Sequence, residues 1–169
     1  ERFEEGMAQA PHDKIDLVEK SAYHRAMCAI KLMNRDAEDR VRSFLSSHPT
    51  SSYRYDVLWA MADYLFNRRN YDNALEWLNQ MDVREMRQND VATYYFKKGY
   101  CHFMEEQAPD AKAAFREIKD GHSSLAPSAK YYYAHLNYAD SNYVTALREF
   151  EGLRDNPQYK SFVPYYLAQ

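Results

Sequence analysis

The chain has 169 residues, a formal net charge of −3, a mean hydropathy of −0.78 and only 4 glycines and 2 cysteines. That length is enough for one domain with a substantial core, and the scarcity of Gly and of β-branched runs favours helices over a β-sandwich or barrel. No apolar run approaches the roughly 18–20 residues that span a bilayer, and scattered Lys and Arg with a pI near 6.1 exclude the one-sided basic surface that nucleic-acid phosphates require.

Taken in order, residues 1–21 read as an irregular helical part. Glu1 to Ala10 is helix-prone, with Phe3 and Met7 four apart; Pro11 stops or redirects it, and Asp13 can cap a following helix that carries Ile15, Leu17 and Val18. No charged-then-apolar leader opens the chain, and a start at Glu1 rather than Met reads as a trimmed one. Cys28 and Cys101 each sit beside apolar residues within a helical pattern and are expected to be buried free thiols.

The clearest unit lies between Leu58 and Met81. Leu58, Met61, Ala62, Leu65 and Phe66 recur at three and four, as one helix face does. After a polar Asn-Arg-Arg-Asn break, Tyr71, Ala74, Leu75, Leu78 and Met81 do the same, which predicts an antiparallel helical hairpin. A lone hairpin of that size cannot bury its apolar face, so copies are expected. They are found. Ala37, Ala74, Ala111 and Ala146 lie 37, 37 and 35 residues apart, each followed at +4 by Val41, Leu78, Phe115 or Phe150, and at +7 by Phe44, Met81, Ile118 or Leu153. Twelve residues before the last three alanines stand Ala62, Gly99 and Ala134, and 34 residues beyond Ala134 comes Ala168. Small residues at a fixed place let helices approach closely, and the large ones fill the space beside them. Between the units, Ser46–Ser52 and Asp82–Asp90 read as loops, the second ending in a cap at Asp90. In Asp120–Pro127, Gly121 reads as a helix stop and Pro127 as a first-turn residue. Ser161–Gln169 starts a first helix without its partner, the pattern of a chain cut from a longer repeat protein.

This spacing resembles the tetratricopeptide repeat, a helix–turn–helix unit of about 34 residues. The residues that carry the resemblance are the small pairs Ala62/Ala74, Gly99/Ala111 and Ala134/Ala146, Tyr71 and Tyr143 at the start of second helices, and Pro49 closing the first repeat. Repeats two to four lack that closing proline, and Arg25 stands where a small residue belongs in repeat one. The resemblance implies an all-α, right-handed superhelical solenoid of about four hairpins in one array. Its repeats are 22–50, 52–88, 91–122 and 127–157, with 161–169 opening a fifth.

Catalytic and metal signatures are missing from the pattern. His12, His24, His48, His102, His122 and His135 form no HExxH or other close ligand spacing, and no Walker, dinucleotide or GxSxG motif occurs. Adjacent acids such as Glu105/Glu106 diverge on a helix and cannot share a reacting centre. No enzyme activity, cofactor or metal is therefore expected.

Aromatic residues are the informative class: 16 tyrosines, and 15% of the chain in all. In the family the first helices line a concave groove, so the resemblance places Trp59, Asp63, Phe66 and Asn67 of repeat two there. Phe96, Tyr100 and Phe103 follow from repeat three, and Tyr131, His135 and Tyr138 from repeat four. Aromatic rings give large contact area at small entropic cost, although the same rings can pack between repeats instead. Chaperone-adaptor members of the family grip a carboxylate with Lys, Asn and Arg on successive first helices. At the matching positions stand Trp59, Ala60, Asp63, Phe96, Lys97 and Tyr100, of which only Lys97 suits, so acidic chaperone tails are not the expected ligand.

The function so implied is a non-enzymatic scaffold that binds a protein segment, peptide or helix, in the groove. The other reading is a sensory or regulatory module for an effector domain elsewhere. The resemblance points to bacterial multi-repeat proteins, many of them at the cell envelope or in the periplasm. No nucleic acid partner or membrane insertion is expected. Tyr165, Tyr166 and Leu167 would leave an apolar end open to self-association.

Overall fold

A computed structural model describes residues 2–168, with side-chain surroundings from residue 16 onward. The architecture is all-helical, and no strand occurs among the described residues. The α-helices are α1 (Arg2–Lys31), α2 (Ala37–Ser47), α3 (Arg54–Asn67), α4 (Tyr71–Leu78), α5 (Gln88–Met104), α6 (Ala108–Arg116), α7 (Ala126–Ala139), α8 (Tyr143–Glu151) and α9 (Val163–Ala168). A 3-10 turn at Val83–Glu85 precedes α5, its start held by Asp82, whose carboxylate accepts from the Arg84 backbone N–H.

Two compact units divide the chain. One holds the residues up to Arg69 together with Trp77–Met81, the other Asn70–Glu76 and the residues from Asp82 on, so that α4 is shared. In the first unit α1, α2 and α3 pack on one another. Tyr23 of α1 stacks on Tyr53 at 4.4 Å, and the Arg42 guanidinium lies 4.8 Å above the ring of Trp77. In the second unit α5/α6, α6/α7, α7/α8 and α8/α9 pack as successive neighbours.

The sequence repeat is a repeat of burial. Ala37, Ala74, Ala111 and Ala146 are all buried, as are the residues four and seven places after each. Ala62, Gly99 and Ala134 are buried too. A Cβ placed on Gly99 would lie 2.9 Å from the Phe115 ring, so glycine there lets α5 and α6 close to contact. The copy at Ala168 is exposed, with no described helix over it.

Turn chemistry repeats as well. Met33, Arg69, Glu106 and Ser141, each just beyond a first helix, have φ of 55°, 60°, 57° and 61°. The following N–H of Asn34, Gln107 and Asn142 reaches back to the carbonyls of Ala29, His102 and Asn137 at 2.9, 2.8 and 2.8 Å, the Schellman closure of a helix end. These caps use non-glycine residues, and no glycine among the described residues has positive φ. Gly121, expected to stop a helix, instead sits in an exposed bend after α6 has ended at Arg116.

Other local expectations are corrected. α1 continues through Pro11 and past Asp13 without a break; one proline removes a single donor from a helix of 30 residues, and the turns on either side carry on. The side chains of Phe3, Met7 and Ile15 lie outside the described residues. Asp90 is not the cap of α5, which starts at Gln88 and places Asp90 in its first turn, a favourable site for a carboxylate. Cys101 is buried as expected, but Cys28 is exposed. On α1 the core face is set by Ala26, Ala29 and Ile30, and a residue two places from Ala26 points away from it.

Candidate functional site

The second unit gathers its predicted site residues on α5 and α7. Rings four residues apart on a helix lie one above the other. Phe96 and Tyr100 accordingly stack at 6.3 Å with an interplanar angle of 19°, and Tyr131 and His135 at 6.3 Å and 14°. Phe103 meets His135 edge-on at 6.1 Å, joining the two ladders, and Tyr71 meets Tyr100 edge-on at 5.7 Å. Tyr138 meets Tyr166 edge-on at 5.6 Å. Edge-to-face and offset contacts of this kind suit the ring quadrupoles.

The six predicted residues among them, Phe96, Tyr100, Phe103, Tyr131, His135 and Tyr138, are all half-buried. Phe96, Tyr100 and Phe103 lean on a core of Ala111, Phe115, Ile118, Ala129 and Leu136. Tyr131 and Tyr138 lean on a second core that contains Ala146, Phe150, Leu153 and Val163. Each ring thus serves packing with one side and keeps part of its surface at the solvent boundary.

The remaining predicted residues lie in the first unit, on α3. Trp59 stacks on Tyr55 at 6.1 Å, and the Asn67 amide donates to the Asp63 carboxylate at 3.1 Å. Phe66 is half-buried and Asn67 exposed. The candidates therefore form two groups, four residues in one unit and six in the other.

Tyr132, which sequence reasoning passed over, and Tyr166, which it placed at an open apolar end but which is half-buried, organise the larger group. Tyr132 touches Phe96, Tyr100 and Phe103 at 6.2, 5.6 and 5.1 Å and stacks on Phe115 at 5.3 Å. Tyr166 stacks on Phe150 at 4.5 Å and meets His135 edge-on at 6.1 Å. The signal was available: Tyr132 and Tyr166 are 34 residues apart, in the same register as Ala134 and Ala168. Tyr159 completes the set, stacked on Tyr131 at 4.9 Å with its hydroxyl donating to Ser128 Oγ at 2.9 Å.

Burial favours the neutral forms of three members of this cluster. It lowers the tendency of His135 to protonate and raises the Tyr131 hydroxyl above the usual phenol range, helped there by the Tyr166 hydroxyl. Tyr132 is raised for the same first reason, with Tyr100 adding to it. What the face offers at neutral pH is ring area and hydroxyl groups, the chemistry of recognition through apolar contact and hydrogen bonds. Cys101, on α5 but buried, is pushed up to about 12 by burial and stays a thiol. Among the described residues no three His, Cys, Asp or Glu side chains come together as a metal site, and no helix is long and apolar enough to cross a membrane.

A scan against protein-family models, a search of curated proteins and a search of solved structures each return no match.

Proposed function

We propose that the chain is a tetratricopeptide-like array, a right-handed solenoid of helical hairpins, and that it works as a scaffold binding a peptide or helical segment of another protein. The array reading is supported by buried alanines at a spacing of 37, 37 and 35 and by left-handed turn residues Met33, Arg69, Glu106 and Ser141 at 36, 37 and 35. Two unrelated features keeping one period is what a repeated hairpin requires.

The binding reading rests on one observation: the ladder of half-buried, uncharged rings that runs over α5 and α7. Rings already held by their neighbours lose little freedom when a segment docks on them, so contact area converts to affinity at low cost. The segment takes apolar contact from Phe103 and Tyr138, and hydrogen bonds from the Tyr100 hydroxyl and the His135 ring.

A pull-down from native lysate with the immobilised chain tests this, set against a Tyr100→Ala/His135→Ala/Tyr138→Ala variant shown by circular dichroism to be folded. A partner held by the wild type and lost by the variant is the expected result. Equal retention by both contradicts the ring face as the binding surface.

A further inference from the structure

Three sheltered lysines of the second unit are paired with acids, and a fourth is not. Lys112, Lys119 and Lys130 have side chains 25%, 10% and 22% exposed, and each meets a carboxylate: Asp140 for the first, Asp120 and Glu149 for the second, Asp120 for the third. Sheltering an ammonium is costly unless such a partner offsets it. Lys98 on α5 is half-buried as well, yet among the described residues no carboxylate lies within ion-pair distance of it.

What Lys98 meets instead is a buried phenol. Tyr94, one turn earlier and 3% exposed, holds its hydroxyl 3.4 Å from Lys98 Nζ and its ring centroid 5.7 Å away. A phenol accepts from an ammonium as readily as it donates to an amine, so unlike a carboxylate it does not fix the charged form. Burial, the larger influence, lowers the Lys98 ammonium below the usual lysine range, and Asp110 of α6 opposes it more weakly. Asp82 acts on the Tyr94 hydroxyl. Lys98 is two residues from both Phe96 and Tyr100, which turns it to another face of α5 than those rings.

We propose that Lys98 is an acylation site, the lysine at which the folded chain takes an acyl group from an activated donor, an acyl phosphate or an acyl thioester. The unprotonated amine attacks the carbonyl carbon, and an N–C bond forms. The bond from that carbon to the leaving oxygen or sulfur breaks, the leaving group keeps the electron pair, and a proton from the nitrogen passes to it. The product is a neutral amide, which removes an unpaired charge from a sheltered place. The same reaction at Lys119 would break its pairing with the buried Glu149. The site shares no residue with the ring face, so either can fail without the other.

The full chain is treated with acetyl phosphate in one arm and with S-acetyl-N-acetylcysteamine in the other, across a series of pH values. Acetylation at each lysine is followed by mass spectrometry, with the exposed Lys31 and Lys160 as internal standards. Lys98 is expected to react at least about threefold faster than either near neutral pH, because one unit of lowering raises the unprotonated fraction about tenfold and shelter takes back part of that gain. The midpoint of its pH profile should lie below theirs, and the advantage should vanish in urea that unfolds the chain. The arm that shows the advantage identifies the donor class. Equal or slower reaction of Lys98 in both arms, a midpoint no lower than that of Lys31 and Lys160, or an advantage that persists in urea would overturn the proposal.

Discussion

The α6/α7 and α8/α9 interfaces are built on one register and finished differently. Both place a tyrosine flat on a buried phenylalanine, Tyr132 on Phe115 and Tyr166 on Phe150, beside a buried small residue of the preceding first helix, Gly99 or Ala134. At the rim the α6/α7 seam carries the Lys112–Asp140 ion pair, whereas the α8 residue 35 places beyond Lys112 is the apolar, exposed Leu147. The repeated stripe thus fixes how two helices meet, while the residues at its rim decide whether the seam is sealed by charge or left apolar.

The largest effects expected are at the two phenylalanines. Phe115→Ala and Phe150→Ala should each cost about 3–5 kcal/mol in urea unfolding, with Phe150→Ala at the lower end because Phe150 already lines an open cavity with Ala146 and Leu147 into which its surroundings can relax. A larger loss at Phe150 than at Phe115 would break the comparison. Next come the small residues. Gly99→Ala forces the fully buried Phe115 ring to shift and should lose up to about 2 kcal/mol, after the helix-propensity gain of about 1 kcal/mol is counted. Ala134→Gly, at the equivalent place, should lose only about 0.5–1 kcal/mol. A stabilising Gly99→Ala would mean that α5 and α6 do not meet as closely as described.

The acid limb of stability has two expected parts. Burial lowers the folded pKa of His135 below its unfolded value, so the unfolded chain binds the proton more readily. Stability is then full above about pH 6.5 and is lost as pH falls from there through the folded value. His135→Phe should flatten that decline in thermal melts taken between pH 7 and 5. Lys119, and after it Lys130, hold the Asp120 carboxyl below the usual carboxylate range. Its contribution is present above the unfolded value of about 3.9 and disappears as pH falls through the folded one. Asp120→Asn should remove this lower step and leave the upper one intact. Smallest of all, Ser141→Gly should gain a few tenths of a kcal/mol, because glycine adopts the left-handed cap of the α7–α8 turn without the side-chain penalty.

The stripes were legible in the sequence because burial follows spacing. Ala74, Leu78 and Met81 repeat at Ala111, Phe115 and Ile118, and all six are buried. The starts of α4 and α8 at Tyr71 and Tyr143 were legible from the resemblance rather than from burial, since Tyr143 is exposed. What escaped was decided by backbone geometry rather than by side-chain pattern. Glu106 and Ser141 take a left-handed conformation that glycine usually marks, while Gly121 does not. The division of labour within the ring cluster was equally hidden: three tyrosines in a row, Tyr131–Tyr133, look alike in sequence, yet Tyr132 is the one that touches Phe96, Tyr100 and Phe103. Cys28 looked like a core residue because its neighbours Ala26 and Ala29 are; its exposure follows from helix phase alone.

The central claim is that the ring face of α5 and α7 is where a partner segment sits, and site-directed photo-crosslinking tests it most directly. A benzophenone amino acid would be placed at Tyr100, and in a second protein at Ala113, an exposed position on α6. After irradiation in native lysate, a discrete crosslinked protein is expected at position 100 and none at position 113. The same adduct from both positions, or one from position 113 alone, would contradict it.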